Sequence, residues 1–190
     1  MPNKNNDPLF QLIKSLSKAE KRYFKLHSIK QVAGEETKYL KLFDFIDKQK
    51  DYDETKILEK NKSIKSQQLS NLKAHLYKQI LQNLRNLNSD EDIDLLIHEL
   101  IDHATILYNK CLYDQCIKML DKAKNMSEKF EKNTLFLEII EFEKRLVTKY
   151  IRTNIENKVS MLIKASDQIN EKINNINTFS NLTIKIYSFY

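Results

Sequence analysis

A single glycine, Gly34, in a chain of 190 residues, with both prolines (Pro2 and Pro8) in its first eight positions, is the strongest constraint the sequence carries. Sheets and loop-rich folds draw their tight turns from glycine and proline, and this chain has almost none to spend on them. What remains is helices joined by short polar links. With 41% hydrophobic residues there is enough apolar side chain to bury a core, and the length suits one large helical domain or two small ones. The expected class is all-α.

The pattern of apolar residues locates the helices. Leu9, Phe10, Leu12, Ile13 and Leu16 form a short apolar helix. Ser17-Lys-Ala-Glu20 then reads as a capping box, in which the serine oxygen accepts from an early backbone N–H and the glutamate reaches back to the cap. The helix it opens should run through Tyr23, Phe24 and Leu26 toward Ile29 and stop near Ala33-Gly34, where glycine can take a left-handed conformation. From about Glu36 to Gln49, Tyr39, Leu42, Phe43 and Ile46 share one stripe that Leu40 and Phe45 widen. Asp53 is placed to cap a short helix holding Ile57 and Leu58, and Asn61-Lys-Ser63 breaks the pattern. Leu69, Leu72, Leu76, Ile80, Leu84 and Leu87 then predict one long amphipathic helix.

The polar run Asn88-Ser-Asp-Glu-Asp92 marks a boundary near residue 90, because the charge changes sign there. Residues 1–88 hold 18 lysines and arginines against 10 acids; residues 89–190 hold 14 against 16. Two domains are therefore expected: a basic helical one over 1–90 and a helix-pair array over 91–190. In the second, the spacing predicts helices over Ile93 to Lys110, Tyr113 to about Phe130, Thr134 to about Arg152 and Ile155 to about Ile176, with a separate last segment from Thr178 to Tyr190. Links this short make neighbouring helices antiparallel.

Residues 97–130 resemble one tetratricopeptide repeat, in which two helices approach closely over small residues flanked by large apolar ones. Leu100, Ala104 and Leu107 stand at the first helix's contact positions, and the turn Cys111-Leu-Tyr113-Asp-Gln115 is similar to the family's link. Cys116, Leu120 and Ala123 take the second helix's packing positions. His103 replaces the usual leucine, Cys111 the turn glycine and Glu128 the closing proline. Val159, Ile163 and Ser166 read as the next set after Cys116, Leu120 and Ala123, a period of 43 residues. That is longer than a strict tetratricopeptide repeat and near that of HEAT and armadillo arrays. On Leu9-Phe10-Gln-Leu-Ile13, Glu20-Lys-Arg-Tyr-Phe-Lys25, Leu40-Lys-Leu-Phe-Asp44 and Leu112-Tyr-Asp-Gln-Cys116, the whole chain resembles an uncharacterised family of bacterial tetratricopeptide-like helical-repeat proteins. The resemblance implies the fold and assigns no activity to any residue.

Constellations that would carry chemistry are few. In His98-Glu99-Leu-Ile-Asp-His103 the two imidazoles stand five residues apart, about 140° around a helix, and cannot share one ion as an HExxH pair does. One glycine cannot build a Walker loop or a dinucleotide fingerprint. No Gly-x-Ser-x-Gly elbow occurs, and the carboxylates are scattered along polar faces. Cys111 and Cys116, five residues apart, fit neither a redox CxxC nor a zinc knuckle and read as reduced core thiols. No cofactor, no metal and no enzyme activity are expected.

A non-enzymatic protein–protein interaction scaffold is the leading expectation. The second is a DNA-associated regulator. From Lys56 to Arg85 seven basic residues face one acid, Glu59, and short helix, break, long helix is the order of a helix-turn-helix. Lys62, Lys65, Gln67, Lys73, Lys78 and Arg85 are the candidate nucleic-acid contacts. Leu182, Ile184, Ile186, Tyr187, Phe189 and Tyr190 make the last segment unusually apolar. It either self-associates, continues a longer array or folds back on the preceding pair. No stretch approaches the roughly 20 apolar residues of a membrane span, so the expectation is a cytoplasmic protein with no membrane partner.

Overall fold

The computed structural model describes residues 7–28, 36–60, 64, 66–88, 92–150 and 155–189. Among these, all regular structure is helical, and the chain divides into two compact units, Met1–Asn88 and Ser89–Tyr190. The expected helix stop at Ala33-Gly34, the break at Asn61–Ser63, and Lys62, Lys65, Arg152 and Tyr190 lie outside the described residues.

The first unit holds α1 (Pro8–Ser15), α2 (Lys18–Ser28), α3 (Glu36–Lys48), α4 (Glu54–Lys60) and α5 (Ser66–Asn88). Local chemistry sets their starts. Asp7 caps α1 by accepting from the Phe10 N–H at 2.9 Å, with Pro8 at a position where no N–H is needed. The capping box closes at α2: the Glu20 N–H donates to Ser17 Oγ at 3.2 Å and the Ser17 N–H to Glu20 Oε2 at 2.7 Å. Asp53 caps α4 through the Thr55 and Lys56 N–H groups, and the Thr55 hydroxyl also donates to it. The core gathers Leu9, Phe10, Ile13, Phe24, Leu42, Phe43, Ile46, Ile57, Leu69, Leu76 and Ile80. Leu26 and Phe45 depart from the expected stripes: Leu26 is exposed, and Phe45 is only half-buried beside α4.

The second unit holds α6 (Ile93–Asn109), α7 (Tyr113–Lys129), α8 (Asn133–Lys149) and α9 (Ile155–Tyr187). The first three have 17 residues each and begin 20 residues apart. Their two links are the same device. After α6, the Cys111 N–H donates to the Tyr108 carbonyl and the Leu112 N–H to that of Leu107; after α7, Glu131 and Lys132 donate to Glu128 and Ser127. Both are Schellman closures with the intervening residue left-handed, Cys111 at φ 59° and Glu131 at φ 54°. A non-glycine residue there crowds its Cβ against the carbonyl, so each link carries a local strain that the packing sustains. Cys111 thus has the turn-glycine conformation but lies exposed, and only Cys116 is a core thiol.

α6 packs on α7, α7 on α8 and α8 on α9. Ile97, Ile101, Ala104, Cys116, Leu120, Ala123, Ile139, Phe142 and Leu146 form one core, with Leu100, Leu107 and Tyr113 half-buried against it. Ala104, Cys116 and Ala123 are fully buried. Side chains this small let helix backbones approach.

α9 corrects two expectations. Its buried stripe is Leu162, Ser166 and Ile169, with Ala165 beside it, while Val159 and Ile163 face solvent. Of the three positions expected from the 43-residue period only Ser166 packs, and Val159 and Ile163 do not. Nor does a new segment open at Thr178: α9 runs unbroken for 33 residues, roughly 50 Å. With no glycine or proline to stop it, the Thr178 and Thr183 hydroxyls bond back to the carbonyls of Asn174 and Phe179 rather than capping a helix.

Candidate interaction surfaces

The first candidate surface follows from that unbroken helix. From Asn170 onward almost every α9 residue is exposed. Ile176, Phe179, Leu182 and Ile186 recur at intervals of three or four and make one stripe, which Tyr187 widens, while Ile184 is exposed on the opposite face. Phe179 is 72% exposed and Tyr187 77%. The alternative of a last helix folded back on the preceding pair is excluded for Thr178 to Tyr187. Only Glu171, Lys172 and Lys185 carry charge between Asn170 and Tyr187.

By contrast, the proximal half of α9 is tied down. Leu162 packs with Ile140 and Val147, and the Lys144 ammonium donates to the buried Ser166 hydroxyl at 3.0 Å. Along the rest of the array, polar contacts link helix to helix. Lys132 at the start of α8 pairs with Asp94 at the start of α6 at 2.7 Å. Tyr150, just past α8, donates to Asp114 at the start of α7 at 3.0 Å, and that carboxylate holds the phenol's pKa above its usual value. Burial pushes the Cys116 thiol up as well, against the opposing charge of Arg145. A thiol so placed stays protonated and inert.

The basic residues of the first unit do not form one face. Lys73 is committed internally: its ammonium donates to Asp7 Oδ2 at 2.5 Å and to the Tyr52 hydroxyl at 2.6 Å, and lies 3.6 Å from Glu54. It ties the start of α1, the α3–α4 link and α4 to α5. Burial pushes the Tyr52 phenol up to about 12, with the negative charges of Asp7 and Glu54 adding to it against the Lys73 hydrogen bond. Burial alone would lower the Lys73 pKa, but its bonds to Asp7 and Tyr52 outweigh that and hold it above the usual lysine value. Lys73 could reach a phosphate only by breaking this clip. Gln67, Lys78 and Arg85 are exposed on α5, the last two seven residues apart and so on one face.

Glu99 and His103 stand 3.9 Å apart on the solvent side of α6, with side chains 43% and 52% exposed. Such i,i+4 pairs are ordinary helix-surface contacts. Among the described residues, no group of three or more histidines, cysteines and carboxylates is arranged to hold a metal ion. Among them too, no helix is long and apolar enough to cross a membrane. Comparison with protein-family models, with curated proteins and with solved structures returned no match.

Proposed function

We propose that this chain is a non-enzymatic helical-repeat scaffold acting in the cytoplasm, built as a tetratricopeptide-like array of antiparallel helix pairs, and that it binds protein through the distal half of α9. The repeat reading draws support from the equal lengths and 20-residue offsets of α6, α7 and α8, and from their identical links. The observation that carries the binding reading is the apolar stripe Ile176, Phe179, Leu182 and Ile186, held in water on an otherwise well-formed helix. Contiguous exposed apolar surface of this kind marks interaction sites.

A second copy of the chain is the partner that the stripe fits. It is nearly free of charge, so two copies meet without like-charge repulsion. Phe179, Tyr187 and Phe189 each offer most of an aromatic surface of roughly 150–250 Å², and with the aliphatic residues the patch is on the order of the ~800 Å² that each partner gives a stable interface. Light scattering over a dilution series tests this. The wild type should dissociate from dimer to monomer on dilution, and Phe179→Glu/Ile186→Glu should be monomeric throughout with unchanged helicity. A wild type that is monomeric at high concentration removes self-association, and failure to retain any specific protein from a cognate lysate removes the scaffold.

The DNA-regulator reading rests on the shared exposed face of Lys78 and Arg85. Duplex binding that weakens with salt and with Lys78→Ala/Arg85→Ala would support it; salt-insensitive or absent binding ends it.

A further inference from the structure

We infer that the cleft between α3 and α4 is a binding site for an acidic peptide segment. Lys41 and Lys48 stand seven residues apart on α3, with Phe45 between them on the same face; Lys56 and Lys60, four apart, line the wall formed by α4. The cleft is open to solvent, with a volume of about 630 Å³, and all four lysines are exposed. That is the size of a cleft taking one chain segment rather than a duplex.

Asp44 and Asp47, the α3 carboxylates beside these lysines, are committed elsewhere. Asp44, in the cleft wall, pairs with Lys25 of α2 at 2.6 Å; Asp47 pairs with Lys21 at 2.7 Å and accepts from Lys14 through its carbonyl. Lys41 and Lys48 have no carboxylate partner among the described residues. Lys56 has only Asp53 at 3.3 Å, itself bound to the α4 cap, and the Lys60 ammonium lies over the Phe45 ring, 5.8 Å from its centroid. The walls are also fixed relative to one another. The Gln49 side-chain amide donates to the Asp53 carbonyl and accepts from the Asp53 N–H, clamping the α3–α4 link from both sides. Little ordering is left for a ligand to impose.

Charge complementarity selects an anion, and the details select a peptide. Lysines act as point charges, and the cleft has no arginine fork for bidentate phosphate recognition. The cleft lining holds one aromatic ring, Phe45, whereas a single-strand binder stacks successive bases on several. The seven-residue lysine spacing, roughly 10.5 Å, matches carboxylates two turns apart on a helical segment, with one apolar side chain between them on Phe45.

This site lies in the first unit and does not depend on self-association through α9. The full chain would be titrated into a fluorescein-labelled peptide of about ten residues, glutamate-rich with one central phenylalanine, and into the same peptide with glutamine for glutamate. The glutamate peptide should bind, increasingly weakly as salt rises, and the glutamine peptide should not. Lys41→Glu/Lys48→Glu should weaken binding about tenfold or more, Lys56→Gln/Lys60→Gln several-fold, and the control Lys118→Glu/Lys122→Glu on α7 should leave it unchanged. No binding, equal binding of the two peptides, an equal loss in the α7 control, or tighter cleft-dependent binding of a single-stranded or duplex oligonucleotide would each overturn the proposal.

Discussion

The two units reach a helical core by different routes. In the second, three helices of equal length are joined by the same Schellman link, and the order of packing follows the order of the chain. In the first, helices of 7 to 23 residues are held by individual side chains acting across long sequence separations, Lys73 to Asp7 above all. A regular array gets its geometry from repeated local rules, whereas an irregular bundle depends on particular polar contacts. Core truncation should therefore be costly in both units, and loss of a single polar side chain should be most costly in the first.

The largest expected effect is on the array. Ile139→Ala empties a fully buried position in α8 and should cost about 2–5 kcal/mol, seen as faster amide exchange through α6, α7 and α8. Next is Lys73→Met, which strands Asp7 and Tyr52 and should cost about 1.5–3 kcal/mol by chemical denaturation, with exchange rising in α1, α4 and α5. The clip also predicts an alkaline limit. With the folded pKa of Tyr52 raised to about 12 and that of Lys73 raised as well, their stabilisation is complete below pH ~10 and is lost as pH rises toward 12. Tyr52→Phe should flatten that step, whereas Lys73→Met removes the bond that opposes the rise of the phenol and should not; a Tyr52→Phe variant that keeps the step would show that other groups cause it.

Asp53 gives a smaller acid counterpart. Hydrogen bonds from the Thr55 hydroxyl and the Lys56 N–H lower its carboxyl to about 2, so the cap's contribution is present above pH ~4 and is lost as pH falls toward 2. Asp53→Ala should loosen α4 at neutral pH and make its exchange insensitive to acid over that range. Smallest and of opposite sign, Cys111→Gly and Glu131→Gly should each raise stability by about 0.5–1 kcal/mol on thermal melting, because glycine relieves the left-handed crowding. No gain from either would mean the links carry no strain.

What was legible in the sequence was local. The Ser17–Glu20 box, the Asp53 cap and the Leu69–Ile80 stripe depend on residues within a few positions of each other, and all are found in the structure. The clip was hidden because Asp7 and Lys73 are 66 positions apart, so Lys73 read as one more surface cation. Phe45 fits the apolar period of α3, yet period alone does not tell a core ring from one beside a cleft. Thr178 misled because threonine both caps helices and bonds back within them, and only the surrounding packing decides which. The α9 register failed for a related reason: apolar Val159 and Ile163 offered a plausible stripe about one residue's rotation from the one that is buried.

The central claim concerns the two halves of α9, one packed and one presented to a partner. Hydrogen exchange of the intact chain, measured at low and high protein concentration, separates them. Amides from Asn170 to Tyr187 should gain protection as concentration rises while those of Leu162 to Ile169 stay constant. Distal amides whose exchange does not change with concentration, in a sample with fully protected proximal ones, would contradict the account.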